Sequence, residues 1–158
     1  MGVFLSDSLF SLFLFFEIMG LTSFVMVIQE ETEAAGRAAR TYLAIAVIGG
    51  LCALSGIFMI AAGTGNLSMD SLEQFRKATG GTWPLYLAGA LLLAGFGAKA
   101  GMYPLHVWLP NAHPVAPAPA SALLSGILTK TGVFGILAVT VTMFRHDMAW
   151  GMVLLVPG

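Results

Sequence analysis

Four apolar runs, at residues 3–28, 42–63, 84–109 and 120–144, decide what this chain can fold into. About 20 apolar residues carry a helix across a hydrocarbon core. Backbone in hydrocarbon must satisfy its own hydrogen bonds, which leaves the helix as the form for each run. A further apolar segment, 148–158, begins after Arg145, His146 and Asp147 and covers about half a span. The expectation is an all-α integral membrane protein, a single membrane domain over 1–158, with about four transmembrane helices and a partial fifth. Only 9% of its residues are charged, against about 25% in soluble domains. A net charge of −1 and the lack of a basic stripe exclude nucleic acid as a partner. Cys52, alone, can form neither an internal disulfide nor a metal site. The first run lacks a basic leader and is about 25 residues long, which argues against a cleavable signal peptide. Four spans and a stub suggest a part of a larger unit.

The runs differ in what interrupts them. Ser6, Asp7 and Ser8 form an entry cap for the first, and Glu17 stands near its middle. A polar connector is expected over 29–40, before a second run without charge in which Ala46 and Gly50, and Cys52 and Gly56, place small residues at helical spacing for close packing. Residues 64–82 make a polar loop. Within it 69–78 reads as a short amphipathic helix in the interface plane, Leu72 and Phe75 on one side and Glu73, Arg76 and Lys77 on the other. Trp83 is an interfacial anchor and Pro84 a helix start. The third run is expected to break near Gly101 to Pro104, because Pro104 has no N–H for the carbonyl of Ala100. Broken backbone at membrane depth is tolerated only against protein or a watery cavity. The arginine and lysine counts of the two sides are too close to set an orientation.

The chemistry lies in a few ionisable groups. A charge at the centre of a span costs roughly 2.5–3.5 kcal/mol on insertion scales, so each is a functional candidate. Lys130 sits mid-run, too deep to snorkel easily; burial brings the charged and neutral forms of a lysine closer in free energy, so it could release and rebind a proton. Lys99, flanked by Gly97, Ala98, Ala100 and Gly101, either snorkels from its helix end or stays at depth where another helix or water can approach it. Glu17 is either a mute protonated donor or the charge partner of Lys99 or Lys130. A Glu–Lys pair that opens and closes would be a switch for a proton's position. His106 and His113 are either packing residues or relay groups, the second favoured by the two lysines around them. No third ligand stands at metal-binding spacing, so no metal is expected.

Residues 104–130, PLHVWLPNAHPVAPAPASALLSGILTK, with Lys99 before and TGVFG after, resemble the core signature of the antiporter-like, proton-conducting membrane subunits. These occur in respiratory complex I, in membrane-bound hydrogenases such as formate hydrogenlyase and hydrogenase-4, and in multisubunit cation/proton antiporters. FFEIM around Glu17 resembles that family's glutamate-bearing helix. The resemblance implies inverted five-helix repeats, each with a broken helix. It implies Glu17 on the fifth helix paired with Lys99 on the broken seventh, Lys130 as the connecting lysine of the eighth, and His106 and His113 on a hydrated central axis. Full subunits of that kind have about fourteen helices, and this chain matches roughly the fifth to the start of the ninth.

The expected function is therefore part of a proton-translocating subunit of a complex I-like or hydrogenase-like respiratory complex. The proton pathway would be Glu17, Lys99, His106, His113, Lys130 and internal water. The chain would be non-catalytic and bind no cofactor, with redox cofactors and any quinone in partner membrane subunits. It would reside in a bacterial or archaeal inner membrane, or an organellar one. The alternatives are a fragment of a cation/proton antiporter and a non-conducting structural fragment; for a stand-alone membrane enzyme no catalytic set is visible.

Overall fold

A computed structural model describes residues 2–145 and 147–155. Met1, His146 and the last three positions of the closing apolar segment lie outside them. The described chain is helical. Helix α1 spans Leu9–Ile28, α2 Glu33–Thr64, α3 Ser71–Thr79 and α4 Trp83–Ala100. A 3₁₀ turn at Leu105–Val107 leads into the short α5, Trp108–Ala112. Helix α6, Ala118–Leu123, passes through a π turn, Leu124–Leu128, into α7, Thr129–Met143, and α8 covers Met148–Leu155. Among the described residues four segments are long and apolar enough to cross a membrane: Leu9–Ile28, Glu33–Thr64, Trp83–Ala112 and Ala118–Met143. The all-α integral membrane reading holds.

Local chemistry sets the helix ends. Ser8 caps α1 by accepting from Phe10 N at 3.3 Å, and its hydroxyl donates to Leu67 O at 3.0 Å, tying the entry of α1 to the loop after α2. Thr32 caps α2 by accepting from Ala35 N at 3.1 Å. The connector expected over 29–40 is thus mostly helix. The charges Glu33 and Arg37 face each other one turn apart at 3.6 Å, an i,i+4 pair that a helix supports and a loop does not. With 32 residues α2 is about 48 Å long, well beyond a hydrocarbon core of about 30 Å.

Close contacts between small residues hold the spans together. A Cβ on Gly49 would stand 2.6 Å from Ala98 Cβ, and one on Gly95 2.5 Å from Ala53 Cβ, so α2 and α4 cross nearly backbone to backbone. The seam runs through Gly49, Ala53 and Gly56; Cys52, expected in it, is only half-buried beside it. Gly132 of α7 leaves no more room: a Cβ there would stand 2.5 Å from Ala100 N and 2.6 Å from Phe96 O. Leu72 and Phe75 of α3 are buried in the bundle, Phe75 against Gly63, so the amphipathic helix spends its apolar face on protein. Two apolar clusters result among the described residues. One joins α1, α2, α3, α4, α7 and α8; the other joins Val27, Tyr42, Ala46, Trp108, Ala112 and the π turn.

Candidate functional site: a buried lysine at a broken helix

The break in the third span is made by glycine before proline can make it. Gly101 adopts φ +79°, a left-handed conformation open to a residue without Cβ, and the N–H groups of Gly101 and Met102 both donate to Gly97 O at 3.0 Å. The helix therefore ends at Ala100, three residues earlier than Pro104 would require. This geometry takes Met102 N away from its α-helical acceptor, Ala98 O. Trp108 supplies the replacement: its indole Nε1 donates to Ala98 O at 2.7 Å, from the segment beyond the break. An orphaned carbonyl at membrane depth would be costly, and the indole removes that cost.

Lys99 lies on the last turn before the break and points inward. Its side chain is 2% exposed, so it does not snorkel. The ammonium donates to the backbone carbonyl of Phe16, stands 3.3 Å from Glu17 Oε1 and lies 3.7 Å from the centre of the Phe16 ring. All three partners come from one turn of α1. Glu17 is less enclosed, its side chain 27% exposed. Between Lys99 and Lys130, the structure assigns Glu17 to Lys99.

Two glycines create the space. A Cβ on Gly20 would fall 2.6 Å from Lys99 Nζ, and one on Gly50 2.9 Å from Glu17 Oε1. Tyr42 on α2 donates its hydroxyl to Gly20 O at 3.0 Å and packs edge-on against Trp108, ring centres 5.0 Å apart. Residue order alone does not mark Gly20, Tyr42 or Trp108 as site residues. In sequence Gly50 reads as a packing position, and Trp108 stands inside the 104–130 motif without a role. The signal for Gly20 was slight: a small residue one turn after Glu17, on the same helix face.

The other expected site residues are not brought to this pair. His106 is half-buried in the 3₁₀ turn, stacked on Tyr103 with ring centres 5.6 Å apart, and its buried Nδ1 has no hydrogen-bond partner among the described residues. His113 meets the Ser121 hydroxyl through its Nδ1, a contact that closes the proline-rich turn onto α6. Lys130 is exposed and makes no ion pair among the described residues. The fourth span, expected as one regular helix over 120–144, widens into the π turn at Leu124–Leu128 just before Lys130; Thr129 Oγ1 donates to Ser125 O at 2.7 Å across it.

Residues 6–157 match the family model described as NADH:quinone oxidoreductase/Mrp antiporter, TM. Hydrogenase-4 component B of Escherichia coli (strain K12) is 36% identical over 155 residues, 96% of this chain and 23% of that protein. A Na(+)/H(+) antiporter subunit of Bacillus subtilis (strain 168) is 33% identical over 149 residues, 94% of this chain and 30% of that protein. Among solved structures, the Mrp complex from Dietzia sp. DQ12-45-1b superposes with a TM-score of 0.83 at 25% identity, over 97% of this chain and 29% of that one. An archaeal respiratory membrane complex, the membrane-bound sulfane sulfur reductase, shares the fold with a TM-score of 0.84 at 23% identity, over 98% of this chain and 31% of that one. The chain thus spans between 23% and 31% of the length of these relatives. A buried Glu–Lys pair at a glycine-broken span, and a match along nearly the whole sequence, lead to one conclusion: the chain belongs to the NADH:quinone oxidoreductase/Mrp antiporter transmembrane family.

Proposed function

We propose that this chain is the proton-carrying part of a membrane subunit in a complex I-like or hydrogenase-like respiratory assembly, with redox cofactors and any quinone in neighbouring membrane subunits. The observation that carries the reading is Lys99, buried at a broken helix and held by Glu17 at 3.3 Å. Burying a lysine is expensive, and one carboxylate at this distance compensates it only while the pair is closed. Separating the two leaves an ammonium that is stable only if it loses its proton or finds another anion. The pair is thus a device for deciding when Lys99 holds a proton. His106, His113 and Lys130 are the groups to which that proton would pass, with water between them and the remainder of the path on segments outside this chain. The exposed Lys130 supports this: a lysine mid-span facing lipid would be costly, so its face needs covering by further protein.

The relatives include both a hydrogenase component and a Na(+)/H(+) antiporter subunit, so sodium exchange is the second reading. The test is proton movement by the assembled parent complex in sealed vesicles, with native protein, Lys99→Met and Lys130→Met compared at measured redox turnover. Loss of pumping by both variants in assembled complex is expected. Unchanged pumping by both would refute the reading, and dependence on sodium, with choline as the control cation, would favour exchange.

A further inference from the structure

We infer that Trp108 and Tyr42 are positioning residues that couple the segment beyond the helix break to the Glu17–Lys99 pair. The inference rests on the proposed proton-carrying role of Lys99, and on a closed circuit of contacts through four segments. Lys99 of α4 donates to Phe16 O of α1; one turn further along α1, Gly20 O accepts from Tyr42 of α2. Tyr42 packs against Trp108 of α5, and Trp108 returns to α4 by donating to Ala98 O, the carbonyl next to Lys99. Both Trp108 and Tyr42 are 1% exposed, so neither donor has water as a substitute partner.

The circuit has a mechanical consequence. Helix α5 lies between His106 and His113 and is only five residues long, tied to α4 across the break rather than by continuous helix. A rotation or shift of α5 moves the indole. The indole then either drags the backbone of Lys99 or releases Ala98 O, and it presses on the tyrosine that anchors Gly20. Gly20 is the wall of the ammonium site, so the pair senses the move from two sides. Among the described residues the titratable groups around Lys99 are Glu17 from α1 and Tyr42 from α2, which approaches the same Gly20. Neither α5 nor the histidines that flank it touch the ammonium directly; the circuit is how their position would reach it.

Trp108→Phe keeps an aromatic ring and removes the N–H; Tyr42→Phe removes one hydroxyl and is the milder variant should the first fail to assemble. The measurement is the pH profile of proton transfer by the assembled parent complex in vesicles, alone and in a Glu17→Gln background. Both variants are expected to displace the half-maximal pH by about one unit, a tenfold change in a proton-binding constant. The displacement should vanish in Glu17→Gln, where no pair remains to be positioned. A uniform fall in rate at every pH, proportional to lost assembly, would overturn the inference, as would profiles identical to native. Lys99→Met run in parallel separates the two claims. Transport that survives Lys99→Met overturns the proton-carrying reading and this inference together, whereas transport lost in Lys99→Met with unmoved Trp108→Phe and Tyr42→Phe profiles overturns the inference alone.

Discussion

Gly20→Ala adds one methyl group at the wall of the Lys99 site, and its effect can be worked from the geometry. The new Cβ would lie 2.6 Å from Nζ and 2.8 Å from Cε, so the ammonium has to retreat by about 0.8 Å to reach ordinary contact near 3.4 Å. The end of a lysine is normally free to yield. Here it is hemmed by the Phe16 ring at 3.7 Å and held by the Phe16 carbonyl, with Glu17 already at 3.3 Å. Alanine gains about 0.8–1.0 kcal/mol over glycine in a helix interior, while breaking a buried ion pair costs about 3–5 kcal/mol. The net is a destabilisation of about 2–4 kcal/mol. Gly36→Ala is the control, because nothing stands within 4 Å of its Cβ and only the propensity gain remains. Thermal unfolding of the purified membrane protein should therefore move in opposite directions for the two variants. Equal stabilisation by both would show that the ammonium has somewhere else to go and would refute the reasoning.

Other perturbations follow from particular contacts. Gly132→Ala places a methyl 2.5–2.6 Å from backbone atoms of α4, which cannot swing aside; a loss of about 3 kcal/mol is expected in the same unfolding assay, and a neutral effect would count against the tight α4–α7 crossing. Asp147 holds α8 in place: it accepts from Tyr86 Oη at 2.6 Å and from Ala149 N and Trp150 N at 2.9 and 3.2 Å. The Tyr86 hydroxyl first, and then those N–H groups, hold its carboxyl below the usual range. A carboxylate lowered on folding contributes stability above its unfolded pKa near 3.9 and loses it as pH falls through the folded value. The emission of Trp150, stacked on Phe144, should therefore be constant from neutral pH down to about 4 and change below it. Tyr86→Phe should move that transition to higher pH; an unmoved midpoint would remove the hydroxyl from the latch. Ser121→Ala takes away the hydroxyl facing His113 Nδ1, and the ¹⁵N resonances of that ring should shift; unchanged resonances would show that the contact does not set the tautomer.

The membrane class, the four spans and the existence of the break were legible from residue order alone, because hydrocarbon thickness and backbone satisfaction leave a long apolar run one form to take. Glu17 and Lys99 stood out for the same reason: a charge in such a run has to be accounted for by something. The motif around residues 104–130 carried the family. Which way each helix faces was not legible. Helix α1 is apolar all round, with exposed Ile18 and Leu21 beside buried Phe16 and Gly20, and no amphipathic stripe marks its inner side. The space left by Gly20 on α1 and Gly50 on α2 selects that side, and with it the choice of Lys99 over Lys130 as the partner of Glu17. Likewise Pro104 announced a break, but Gly101 sets its position and Trp108, ten residues after the carbonyl it rescues, makes it tolerable. Composition and spacing determine which groups must be reckoned with in lipid. Their pairing depends on backbone approach between segments distant in sequence, and only the tertiary structure decides that.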